Sequence, residues 1–238
     1  MLIGPYVDGA SVILGGLAGS LIGSRVPERV KSSLPLIFGL CSLGMGINVV
    51  IKVKYMPAVA LAVIVGTIIG ELCHLEKRIG SGAGSVRGII NRILPPVQGL
   101  SQEEFTERFV AILVLFCASG TGIFGAMQEG MTGDASILML KSVLDFFTAG
   151  VFATLLGYAV MTIGIPQMII LTILAFLGVY ILPTITPSMM ADFACAGGLI
   201  MLATGLRIGN IKSFPVANML PGLVLVMPFS HLWATLFA

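Results

Sequence analysis

The sequence predicts an all-α polytopic membrane protein with about eight transmembrane helices, and three observations carry that reading. The 13 lysines and arginines are clustered, and between the clusters run long stretches, such as 56–72 and 109–127, that are almost free of charge. Such stretches are long enough, or nearly so, to cross a hydrocarbon core of ~30 Å at ~1.5 Å per helical residue. The composition is 57% hydrophobic and 10% charged, where a soluble domain carries roughly 25% charged residues. There are also 30 glycines, which are common in membrane spans because they let neighbouring backbones approach closely.

Taken in order, the spans are expected at Ile3–Ser24, Ser33–Ile51, Met56–Leu72, Phe109–Met127, Ser136–Ile163, Pro166–Pro183, Ala191–Leu206 and Phe214–Phe237. The first lacks a basic leader and runs into Arg25, Pro27, Glu28 and Arg29, so it reads as a retained span and not a cleaved signal. The whole of 1–238 is then one transmembrane domain, with no room for a separate soluble one. A net charge of +2, with basic residues at span ends, gives no surface for nucleic acid.

Basic residues favour the inner side of a membrane. With the amino terminus outside, Arg25, Arg29, Lys31, Lys77, Arg78, Arg87, Arg92, Arg108, Arg207 and Lys212 fall inside, and only Lys52 and Lys54 fall outside. Both termini are therefore expected in the periplasm. The long inner connection, 72–108, carries a glycine-rich run from Gly80 to Ser85 followed by Arg87. No strand precedes that run and no GKS or GKT follows it, so both nucleotide fingerprints fail. Val86, Ile89, Ile90 and Ile93 share one face, as in an interfacial helix. Ser101 and Glu104 then read as a capping box opening the helix that leads into span four.

A faint internal repeat adds a constraint. Gly39-Leu40 and Gly46-Ile47 recur with the same spacing as Gly198-Leu199 and Gly205-Leu206, and basic residues and then Pro57 or Pro215 follow each copy. Spans two and three match spans seven and eight, an odd offset, so the copies are expected in opposite orientations. The arrangement predicted is an inverted repeat of spans 1–3 and 6–8 around a central pair, as recurs in secondary transporters.

The densest polar cluster lies between the copies, from Cys117 to Asp145. Ser119, Gly120, Thr121, Gly122 and Gly125 loosen the end of span four, with Gln128 and Asp134 at the outer ends of spans four and five. Lys141 and Asp145 are one turn apart and pair on one helix face. With the helix starting near Ser136, Lys141 lies about 7 to 8 Å deep and Asp145 about 13 to 14 Å. The lysine has reach enough to snorkel to the interface and the aspartate does not, so Asp145 ranks first as a site residue. Asp8, Asn48, Thr67 and Glu71 rank lower, and His74 and His231 have no ligand-spaced partner. Four separated cysteines, Cys41, Cys73, Cys117 and Cys195, suggest neither a disulfide framework nor a metal site. Gly15-x3-Gly19-x3-Gly23 and Gly66-x3-Gly70 make smooth grooves for close helix crossing, either within the chain or in a homodimer.

The cluster from Gly120 to Asp145, with Gln128, Gly130, Gly133-Asp134, Lys141-Ser142 and Asp145, resembles the signature of the YqgA-like family, domain of unknown function 554. The resemblance extends to Leu14-Gly15-Gly16, Arg25, Pro27-Glu28 and Asn218 to Pro221, and so covers essentially the whole chain. It implies a bacterial inner-membrane location and a transport role, without a substrate.

The first function class is therefore a transporter of a small ion or polar solute. Asp145 would bind a cation or proton, Lys141 would be its counter-ion, and Gln128 and the backbone from Gly120 would line the path, with Ser119, Asp134 and Asn48 as further polar groups. The alternative is a membrane assembly or sensor protein in which Lys141 and Asp145 form a structural pair. An enzyme is not expected. An aspartyl protease needs two facing aspartates, and Asp134 and Asp145 are roughly 16 Å apart along a helix. No cofactor or metal is expected; the partners are the lipid bilayer and the transported ion or solute.

Overall fold

In a computed structural model the described residues are 2–22, 25, 27–84 and 101–237, and these are mainly helical, without strands. The elements are α1 (Gly4–Ile22), α2 (Glu28–Val50), α3 (Met56–Leu72), α4 (Leu75–Gly84), α5 (Gln102–Cys117), α6 (Gly120–Thr132), α7 (Ser136–Leu156), a 3-10 segment (Gly157–Ile163), α8 (Gly164–Ile181), α9 (Pro187–Ile208), the short α10 (Val216–Met219) and α11 (Pro221–Phe237). The interfacial helix expected near Val86–Leu94, with Arg87 and Arg92, lies outside the described residues.

By length and composition, six helical stretches qualify as membrane crossings, or seven if the bent pair α3 and α4 is one span. The longest, Ser136–Thr184, has 49 residues. That is about 70 Å of helix, over twice the hydrocarbon thickness, and the chain doubles back within it. Gly15 and Gly19 of α1 meet Phe146 and Gly150, so α7 runs parallel to α1. Gly9 and Gly16 meet Gly164 and Met161, so the following segment runs the other way. The reversal uses Gly157 at φ 59°, a left-handed conformation available to glycine without strain.

Spans two, three, six and seven match single helices to within a few residues. Span four is broken instead, between Cys117 and Gly120, while α7 is continuous from Ser136 to Leu156. The connection after span three also differs from the loop expected there. The chain leaves α3 through His74, at φ 48°, and continues at 49° as α4, which includes the glycine-rich run as far as Gly84. Asn218 Oδ1 accepts from the Glu76 amide at 2.7 Å and caps this helix from α10, which offsets the low helix propensity of its glycines. The Ser101–Glu104 capping box opens α5 as expected.

Glycines set the packing. α2 and α9 lie antiparallel with Gly39 against Gly205 and Gly46 against Gly198; a Cβ at Gly39 or Gly205 would fall 2.7 Å from the other's carbonyl oxygen. α3 packs on α11 through Gly66 and Gly222. Of the glycine grooves read from the sequence, Gly15 and Gly19, and Gly66 and Gly70, are thus filled within the chain, while Gly23 lies outside the described residues. Large apolar side chains such as Leu14, Leu21, Ile64, Ile173 and Phe176 point outward, as a lipid-facing surface requires. A Cβ at Gly19 would sit 2.0 Å from the Gly150 carbonyl oxygen, a backbone atom that cannot rotate away. Gly19→Leu is therefore expected to cost more than the ~1–3 kcal/mol of ordinary overpacking, seen as loss of the monodisperse peak in detergent size-exclusion chromatography.

Candidate functional site

Asp145 and Lys141 sit on the inner face of α7, and the structure adds two residues from other helices. Lys141 Nζ donates to Asp8 Oδ2 of α1 at 2.8 Å and also to Asp145 Oδ2. Gln167 Nε2 of α8 donates to both Asp8 Oδ2, at 2.6 Å, and Asp145 Oδ2, at 2.7 Å. The cluster is almost sealed: Asp8 and Gln167 are 0% exposed and Lys141 4%. The lysine turns inward between two carboxylates and does not snorkel. Asp145, with a side chain 13% exposed, is the most accessible of the three charged groups. Two carboxylates and one ammonium leave one excess negative charge when all are ionised. Asp8 Oδ1 and Gln167 Oε1 also remain buried acceptors without a donor among the described residues.

Lys141 and Asp145 form part of the wall of a cavity of about 530 Å³, with Asp8 and Gln167 behind them. Ser119, Gly120 and Thr121 enter this wall at the break between α5 and α6. The rest is mainly apolar, with Phe38, Phe116, Phe152 and Met201 prominent. Towards α4 the cavity ends at an ion pair between Arg207 Nη1 and Glu76 Oε1 at 2.7 Å.

The other residues expected at a site lie elsewhere. Gln128 is half-buried on α6, its Oε1 without a partner among the described residues, away from the cavity wall. Asn48 is exposed on α2. Asp134 lies in the turn before α7, where it accepts from the Ser136 amide at 2.9 Å and from the Ser136 hydroxyl. These hydrogen bonds hold its carboxyl below the usual carboxylate range, so their support for the turn is present at neutral pH and lost on acidification through that lowered value.

Sequence reasoning ranked Asp8 low and passed over Gln167. A signal for Asp8 existed: it shares a helical face with Val12, Gly15, Gly16 and Gly19, the side of α1 that the glycine spacing marks as buried. Gln167 stands at the start of an otherwise apolar span, where an uncharged amide gives little warning.

Two further buried carboxylates cap helices. Glu129 Oε1 accepts from the Ile3 and Gly4 amides, at 2.8 and 3.0 Å, at the start of α1. Asp192 Oδ1 accepts from the Lys54 and Tyr55 amides, each at 2.8 Å, ahead of α3, while its Oδ2 accepts from Ser230. Each satisfies amides that a helix start leaves open and places negative charge at the positive end of the dipole. Glu129→Ala is expected to cost about 1–3 kcal/mol, with hydrogen exchange accelerated at residues 3 and 4 and unchanged in α9.

These features define a helical membrane protein with a buried ionic cluster on an intramembrane cavity. Residues 3–231 match the family described as "Protein of unknown function (DUF554)", and the chain belongs to that family. It is 53% identical over 240 residues to "Uncharacterized protein YqgA" of Escherichia coli (strain K12), with 100% of both chains covered. It is 21% identical over 234 residues to "Uncharacterized membrane protein YdfK" of Bacillus subtilis (strain 168), covering 94% of this chain and 93% of that one. No solved structure matches the chain.

Proposed function

We propose that this protein is a secondary transporter of the bacterial inner membrane, with both termini in the periplasm, and that Asp145 carries its coupling proton. The observation that supports the reading is the cluster of Asp8, Lys141, Asp145 and Gln167, with one unbalanced negative charge, whose Lys141 and Asp145 line the wall of a cavity. An ionised aspartate in a membrane costs roughly 2.5–3.5 kcal/mol on insertion scales, and such residues mark ion pathways and proton relays. A proton taken up by Asp145, the group most open to the cavity, balances the cluster.

An inverted repeat of spans 1–3 and 6–8 would support this reading. Under the equivalence of Gly39 with Gly198 and Gly46 with Gly205, Ser42 is equivalent to Met201, and Ser42 Oγ donates to the Met201 carbonyl at 2.9 Å. The contact of Gly39 with Gly205 likewise has the contact of Gly198 with Gly46 as its image. Such contacts fit a two-fold axis between α2 and α9, as they also fit a plain antiparallel helix pair. The cavity lies beside this seam, where rocking of one copy against the other would expose it alternately.

The test is solute and ion flux in proteoliposomes under imposed proton, sodium and potassium gradients, comparing the parent with Asp145→Asn. Flux driven by the proton gradient, and reduced at least tenfold in the folded variant, is expected. Equal flux in the two proteins would refute the assignment to Asp145.

A further inference from the structure

The break between α5 and α6 presents hydrogen-bond donors that no described residue accepts. The first amides of a helix have no intrahelical acceptor, and at α6 the N-cap residue Ser119 makes no side-chain bond to supply one. Thr121 is only 9% exposed and lines the cavity, yet its hydroxyl has no partner among the described residues. Every other threonine among the described residues has a hydrogen bond, most to a carbonyl three or four residues earlier, as with Thr148 and Leu144 or Thr204 and Ile200. Gly122 makes room for Lys141 here: a Cβ at this position would stand 2.9 Å from the lysine Cε. Open amides, a free hydroxyl and an ammonium stem thus converge at one end of a cavity whose other walls are mainly apolar.

Resting on the transport reading above, we infer that the cargo is an organic monocarboxylate with an apolar body. Its carboxylate is seated at the start of α6 between the Thr121 hydroxyl and Lys141, and it moves together with a proton on Asp145. The open amides and the hydroxyl are donors in want of an acceptor, which a carboxylate oxygen provides. Phe38, Phe116, Phe152 and Met201 suit an apolar body and return nothing for the dehydration of an inorganic anion.

The charged and titratable groups around the seat set the sign of the coupling. They are Asp8 on α1, Cys117 on α5, Lys141 and Asp145 on α7, with the amide of Gln167 on α8; Glu76 on α4 and Arg207 on α9 pair with each other at the far end. With both aspartates ionised the cluster is net negative and repels a carboxylate. A proton moving from bulk water to the Asp145 carboxylate removes that charge and frees Lys141 from one of its two partners, so that the ammonium can turn to the cargo. Proton and anion then bind together and leave together, and anion affinity falls as pH rises.

Equilibrium dialysis of the purified full chain in neutral detergent tests this, with labelled benzoate as probe and benzylammonium and sulfate as controls, at mildly acidic and mildly alkaline pH. Benzoate is expected to bind, more tightly in acid, and the controls not to compete with it. Thr121→Val should weaken benzoate roughly tenfold, the size of a lost hydrogen bond to a charged group, while Thr121→Ser should retain it. Asp145→Asn should still bind benzoate, with the pH dependence gone. Preference for benzylammonium, no benzoate binding by the folded parent, affinity rising with pH, or an unchanged affinity in Thr121→Val would each overturn the inference. Benzoate bound by a protein that moves no solute would leave this seat standing and sink the transport reading. Proton-driven flux without benzoate binding would do the reverse.

Discussion

Replacing Lys141 by methionine is expected to unfold or strongly destabilise the protein. The lysine is the only cation within reach of Asp8 and Asp145 in the described cluster, and both partners lie in the interior. Removing one member of a buried ion pair typically costs ~3–5 kcal/mol, because the remaining charge keeps its dehydration penalty and loses its compensation. Here two carboxylates would face one another with only the Gln167 amide between them. At ~2–4 °C per kcal/mol for a chain of this size, the melting temperature in detergent should fall by roughly 10 °C or more. The triple variant Lys141→Met, Asp8→Asn, Asp145→Asn removes all three charges and should recover most of that loss. Parental stability in the single variant would show that the aspartates are already protonated in the folded protein.

Asp8→Asn should have the opposite effect on stability and a large effect on function. The substituted amide would retain an oxygen acceptor for Lys141, and the balanced pair of Lys141 and Asp145 would remain. The excess charge would be gone from a position that is 0% exposed, so the melting temperature is expected to hold or rise. Proton-driven flux should nevertheless drop at least tenfold, because a neutral cluster has no unbalanced carboxylate to take up the proton. Stability and transport would then separate, which a purely structural cluster does not predict. Parental flux in this variant would show that Asp8 takes no part in coupling and would return the proton site to Asp145 and Lys141 alone.

Much of this was open to reading along the chain because it depends on near neighbours. Lys141 and Asp145 are four residues apart on one helix, so their pairing follows from helical geometry alone. The Ser101–Glu104 capping box is equally local. The loosened end of span four was legible from its glycines and hydroxyls, and the structure places the break there, between Cys117 and Gly120. The helical course of α4 was not legible, since Gly80, Gly82 and Gly84 argue for a loop and the Asn218 cap comes from a distant segment.

By itself the sequence determined the class of protein, the near-complete set of apolar helices and the single charged pair within α7, since each rests on composition or on spacing of a few residues. Only the tertiary structure decided that Asp8 and Gln167 complete the cluster and that Thr121 opens onto the same cavity. Asp8 is 133 residues from Lys141 and 159 from Gln167. Groups that far apart meet only where whole helices pack. Here the packing of α1 is set by the glycine faces that bring its backbone against α7 and α8. Helical periodicity names the side of a helix on which a residue lies, and close backbone contact between helices selects what it will face.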